Sequence, residues 1–149
     1  MYGAAYGRTA VVKLLLSIDQ VQLDDRSREL SIAAQKRHGG VVELLLGHPK
    51  VNPNLEVEYD HPTPLLFAAE NGHAEIVELL LRHPKIDPNL FNENNITPLF
   101  FAATNGHTEV VKLLLGHPEI NPDLPDKNTS TPLSVAAYIG HTEVIKLLL

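Results

Sequence analysis

Eight histidines are the side chains of this sequence best suited to chemistry, and seven of them fall into two periodic series. His38, His73, His107 and His141 stand 35, 34 and 34 residues apart, while His48, His83 and His117 stand 35 and 34 apart. Imidazole at neutral pH is a metal ligand and a general acid or base, so a metal-dependent enzyme is the first reading to weigh. A metal centre needs three or four ligands converging to about 2 Å. Equivalent positions on stacked units lie roughly 10 Å apart and form a ladder. The spacing therefore predicts turn and cap hydrogen bonds to the next unit. His107-x-Glu109 is too close in helical spacing to share one face and lacks the second His of a metalloprotease helix. His61 falls outside both series and reads as a surface contact.

Other catalytic constellations fare no better. The sequence has no Gly-x-Ser-x-Gly elbow, no phosphate-binding Gly-rich loop and no dinucleotide fingerprint. Asp24 and Asp25 read as a solvated turn rather than an acid–base pair. With no cysteine, neither disulfides nor thiolate metal sites are available. A formal net charge of −6 opposes binding to phosphate backbones, and an aromatic content of 5% offers no stacking platform for bases. No apolar run approaches the ~18 residues of a membrane span, and the N-terminal residues lack the pattern of a signal peptide. The expectation is a cytoplasmic or nuclear protein that is not an enzyme and has no cofactor, no metal, no nucleic-acid partner and no membrane partner.

The elements that position the histidines are set by a longer period. Leu-Leu-Leu occurs five times, starting at Leu14, Leu44, Leu79, Leu113 and Leu147, at intervals of 30, 35, 34 and 34 residues. One unit of 33 to 35 residues has therefore been copied. Thr63, Thr97 and Thr131 are each followed by Pro, which suits an N-cap and a first helical residue. Gly72, Gly106 and Gly140 come nine residues later, where a left-handed Gly ends a short helix. A second helix then starts with Glu75, Glu109 or Glu143 at the positive end of its dipole. Ile76, Val77 and the Leu79–Leu81 run are apolar on more than one face, so this helix needs partners on several sides. Neighbouring copies supply them, and the alanine pairs Ala68–Ala69, Ala102–Ala103 and Ala136–Ala137 permit close approach.

The phrase Thr-Pro-Leu, Ala-Ala, Gly-His, Glu, Val-Val, Lys-Leu-Leu-Leu resembles the ankyrin repeat over essentially the whole chain. The resemblance implies an all-α fold: an ankyrin-repeat α-solenoid of stacked helix-turn-helix units with extended finger loops. The single array over 1–149 divides into a partial repeat at 1–16, a degenerate repeat at 24–46 and regular repeats at 58–81, 92–115 and 126–149. In the degenerate copy Arg28 and Glu29 replace Thr-Pro, and Arg37 replaces the Gly. The link from Leu16 to Leu30 is short and reads as a shortened finger. Leu66, Phe100 and Ser134 occupy the slot where the family usually has His, so the polar tie to the Thr is expected to be absent. Between units stand His-Pro and then Asn-Pro or Asp-Pro, whose doubled prolines are expected to hold the linker extended. This His-Pro linker is similar to one frequent in fungal ankyrin arrays.

The resemblance also implies a use: a protein–protein interaction module whose fingers and first helices line a concave groove. The variable slots there are Tyr59 and Asp60, then Glu93 and Asn94, then Lys127 and Asn128 on the fingers, with Phe91 just before the second of these. On the first helices they are Glu70 and Asn71, Thr104 and Asn105, and Tyr138. Asp60, Glu70 and Glu93 against Lys127 bias the groove toward a basic protein partner. The alternative is a structural spacer or self-stacking segment of a larger protein. The apolar residues Val144, Ile145 and Leu147–Leu149 lead the sequence reading to expect a fragment of a longer array.

Overall fold

The computed structural model describes residue 10, residues 23–55 and residues 63–149. Eight helices and no strand are found among them: α1 (Leu23–Gln35), α2 (Gly39–Leu46), α3 (Pro64–Glu70), α4 (Ala74–Leu81), α5 (Pro98–Thr104), α6 (Thr108–Leu115), α7 (Pro132–Ile139) and α8 (Thr142–Leu148). They form four antiparallel pairs, α1/α2 to α7/α8. First helices α1, α3, α5 and α7 stack in one row and second helices α2, α4, α6 and α8 in another. The partial repeat at 1–16 lies outside the described residues apart from Ala10.

The starts of the regular first helices are set by Thr-Pro. Thr63, Thr97 and Thr131 accept the backbone N–H of Leu66, Phe100 and Ser134 at 3.3, 3.2 and 3.3 Å, and each following Pro takes the first helical position. Leu66 and Phe100 are buried, so in two units the slot is given to packing. In the third, the expected loss of a polar tie is corrected: Ser134 Oγ accepts from Thr131 N at 2.8 Å and completes a capping box.

In the degenerate unit α1 begins at Leu23, five residues before Arg28. The chain has no Pro at that point to stop the helix from extending backward. The residues read as a shortened finger and a solvated turn are therefore helical from Leu23 onward, with Asp24 and Asp25 in the first turn.

The core runs along the stack as a repeated layer. Ala68, Ala69, Ala102 and Ala103 are fully buried, as are Val77, Leu80, Leu99, Val111 and Leu114. Burying one such Leu or Val contributes about 2 kcal/mol relative to exposure. The linkers are not extended as expected but consist of two consecutive turns. Val51 N donates to His48 O at 3.0 Å and Ile86 N to His83 O at 3.0 Å, with the Pro at the second turn position. This turn stops the second helix and drops Val51 and Ile86 into the core.

Candidate functional site

The two histidine series do different structural work. His107 Nε2 donates to Glu70 O and His141 Nε2 to Thr104 O, each at 3.0 Å. The bond runs to the preceding unit, not the next, and covers a carbonyl near the end of that unit's first helix, where helical partners are lacking. The imidazoles also lie over the glycines that end those helices. A Cβ built on Gly72 would stand 2.7 Å from His107 Nδ1, and one on Gly106 would stand 2.8 Å from His141 Cε1. Gly72 and Gly106 both have φ +69, so backbone conformation and the neighbouring ring each demand glycine.

Loss of that glycine in the degenerate unit alters the contact. Arg37 adopts φ 59 in the same slot. Its Cβ takes the place that the His ring fills elsewhere. Correspondingly, His73 uses Nδ1 rather than Nε2 and reaches Ala34 O at 3.1 Å, one residue earlier than the other copies reach.

His48, His83 and His117 face their own turns. Each Nδ1 accepts a backbone N–H two residues on, from Lys50, Lys85 and Glu119, at 3.3 Å. The proton of the neutral ring is therefore on Nε2. Burial and, second to it, the Lys85 ammonium hold His83 below the ordinary histidine value of 6.5. Among the described residues no three metal-ligating side chains converge.

A polar ladder that the sequence reading missed ties the linkers together. Asn54 Oδ1 accepts from Asp87 N at 3.0 Å while its Nδ2 donates to Lys85 O at 2.6 Å. One unit later Asn89 Oδ1 accepts from Asn121 N at 2.8 Å and Nδ2 donates to Glu119 O at 2.7 Å. At the degenerate end Ser27 Oγ takes the acceptor role toward Asn52 N at 3.1 Å. The signal was present as Asn-Pro-Asn and Asp-Pro-Asn at a fixed period, but its partners are about one repeat away in sequence.

Two fingers carry the next set of candidate residues. In the first, Asn92 Oδ1 accepts from Asn94 N and Ile96 N, both at 3.0 Å, and Asn95 turns the chain with φ 59. In the second, Asp126 Oδ1 accepts from Asn128 N and Ser130 N at 2.9 and 2.8 Å, and Thr129 has φ 66. Lys127 N donates to Asn94 O at 3.1 Å, which joins one finger to the next. Asn92 and Asp126 were also missed; the signal is an Asn or Asp five residues before Thr97-Pro98 and Thr131-Pro132.

This scaffold brings Glu93, Asn94, Lys127 and Asn128 to exposed finger tips, with Phe91 at the base of the first finger and 51% exposed. At the ends of the first helices, Asn71 Nδ2 donates to Phe67 O at 2.8 Å and Thr104 Oγ1 to Phe100 O at 2.8 Å. Asn105 Nδ2 crosses to Glu70 O at 3.1 Å. Tyr138 stands in the slot equivalent to Glu70 and Thr104 and is 91% exposed. Tyr59, Asp60 and His61 lie outside the described residues.

Charge is distributed unevenly between the two rows. The ion pairs Glu78–Arg82, Glu109–Lys112 and Glu143–Lys146 all belong to the second-helix row. Glu70 and Glu93 have no such partner among the described residues. An open groove of about 350 Å³ between α4 and α6 is lined by Glu78, Arg82 and Lys112, whose charges are already engaged in those pairs.

The family model described as ankyrin repeats (3 copies) matches residues 1–92 and again 84–149. The chain belongs to the ankyrin-repeat family. Ankyrin repeats generally act as protein–protein interaction modules, and among the described residues no helix is long and apolar enough to cross a membrane. No curated protein matches the chain.

Proposed function

We propose that this ankyrin array binds a basic partner protein, without catalysis, through its fingers and the ends of its first helices. The observation that carries the reading is Phe91. It sits in an internal unit with neighbours on both sides, yet half of its surface remains open while the scaffold apolar residues around it are buried. Aromatic side chains on a rigid support are the usual anchors of protein interfaces. Glu93, two residues from Phe91, and Glu70 at the end of α3 form no ion pair among the described residues and support a basic partner, whose association would be accelerated at low salt. The chain is taken to work in the cytoplasm or nucleus, in keeping with the absence of cysteine.

The test is affinity capture from an extract of the source organism with three baits: the chain, a Phe91→Ala/Glu93→Ala/Tyr138→Ala variant and a second-helix Arg82→Ala/Lys112→Ala/Lys146→Ala variant. Circular dichroism first establishes that all three are folded. The expected result is a protein held by the chain and the second-helix variant, lost by the first variant and eluted by salt. Identical capture by all three baits would refute the groove and leave a spacer role.

A further inference from the structure

The turn after α1 holds a cation where the other units hold glycine. Gly72, Gly106 and Gly140 follow the first helices of the regular units at φ 69, 69 and 95, and Arg37 takes the same left-handed slot at φ 59. A side chain in this conformation strains the backbone, and such outliers gather at functional sites. Arg37 is exposed, and so is Lys36 before it. The ion pairs found among the described residues all belong to the second-helix row, so neither cation has one. Glu70, one unit further along the first-helix row, has none either. Because α1 packs on α3, charges of opposite sign stand one unit apart on the same row, about 10 Å from each other.

We infer, on the groove reading proposed above, that Arg37 is a specificity-determining contact: its guanidinium takes an acidic residue from a partner segment whose basic residue meets Glu70. An extended segment rises about 3.3 Å per residue, so the acidic and basic side chains stand about three residues apart. A segment basic throughout would set a like charge against Arg37 and Lys36 and be repelled. Stability alone favours glycine in this slot, and the planar guanidinium supplies what glycine does not, a two-pronged donor for a carboxylate. The partner is thus basic opposite Glu70 and Glu93 and acidic at the α1 end.

The test pans a phage library of random peptides of about twelve residues, long enough when extended to cross all four units, against the full chain. Affinities of the enriched peptides are then measured for the chain, for Arg37→Gly and for Glu70→Gln/Glu93→Gln. Arg37→Gly relieves the strained turn, so urea unfolding should find it at least as stable as the chain and loss of binding will not be loss of fold. The enriched peptides are expected to carry an acidic residue about three positions from a basic one. Arg37→Gly should weaken them about fivefold at low salt, the factor an exposed ion pair supplies, and less at high salt. Replacing the peptide's acidic residue by its amide should abolish the difference between Arg37 and Gly. Peptides that are basic throughout, are weakened by Glu70→Gln/Glu93→Gln and bind Arg37→Gly as tightly as the chain would overturn the inference and leave the groove standing. Peptides indifferent to both sets of substitutions would overturn both readings. Failure to enrich any peptide would overturn the two-signed segment, with the groove itself decided by the capture experiment.

Discussion

Gly106 and Gly140 occupy equivalent slots and differ in one respect, which makes them a direct test of the imidazole contact. Gly106 has φ +69 and His141 over it, while Gly140 has φ +95 and open space. Alanine at either position incurs the left-handed penalty of about 1–2 kcal/mol. At Gly106 the new Cβ would also stand 2.8 Å from both Nδ1 and Cε1 of His141, so the ring must move. Overpacking of this kind costs about 1–3 kcal/mol. Displacing the ring also forfeits the bond to Thr104 O, worth about 1 kcal/mol. Gly106→Ala is therefore expected to destabilise by about 3–6 kcal/mol and Gly140→Ala by about 1–2 kcal/mol. Urea unfolding followed by circular dichroism measures both, and hydrogen exchange shows whether the loss is concentrated in α7 and α8. In the double variant Gly106→Ala/His141→Ala the clash is gone, so its cost should fall well below the sum of the single changes. Equal costs for Gly106→Ala and Gly140→Ala, with additivity in the double variant, would refute the role assigned to the ring.

Arg37→Gly, which removes a left-handed Arg, is expected to stabilise by about 1 kcal/mol in urea unfolding and to let His73 shift toward the geometry of His107. Asn89→Ala deletes both rungs to the next linker; because the site is exposed, water replaces part of the loss, and about 1 kcal/mol of destabilisation is expected by the same measurement. Asn89→Asp retains the acceptor for Asn121 N and loses only the donor, so it should cost less than Asn89→Ala. For His83 the folded value is depressed, so its contribution is present above the unfolded value of 6.5 and is lost as pH falls through 6.5 toward the folded value. His83→Asn keeps an acceptor near Nδ1 without titrating, so its urea midpoint should fall less than that of the unmodified chain between pH 7.5 and pH 5.5, values on either side of about 6.5; parallel falls would refute the assignment.

Features generated within one unit were legible in the sequence. Thr-Pro starts, left-handed Gly ends and acidic first turns of the second helices are local preferences, and the structure shows each at its expected residue. Features that compare a unit with its neighbour were less accessible. The histidines were expected to bond between units, yet the direction of the bond and the ring's seat on Gly72 and Gly106 depend on how the units are stacked. The Asn54 and Asn89 rungs span 33 and 32 residues to their acceptor-side partners, a distance at which local propensity is silent. At α1 the template itself misled: a finger was expected because regular units have one, while the missing Pro allowed the helix to start at Leu23.

The same bonds narrow which residues are available for recognition. Asn71 and Thr104 side chains are committed to their own helices and Asn105 to the preceding unit, so a partner gains from them shape more readily than new hydrogen bonds. Asn128 Nδ2 leans toward Asp126 Oδ2 at 3.4 Å, a weaker commitment. Phe91, Glu93, Lys127 and Tyr138 have side chains with no hydrogen-bonding or packing duty of comparable kind. The backbones of Glu93 and Lys127, in contrast, are held in turns, that of Tyr138 in α7, and Lys127 N also by the bond to the neighbouring finger. Binding through such residues requires side-chain ordering but little loop ordering, which lowers the entropic cost of association. If the fingers recognise a partner, loosening their frame should weaken binding without touching a contact residue. Asp126→Ala removes the acceptor for both Asn128 N and Ser130 N. It should accordingly reduce affinity for a groove-bound protein while leaving Lys127 chemically intact, and an unchanged affinity would place recognition elsewhere.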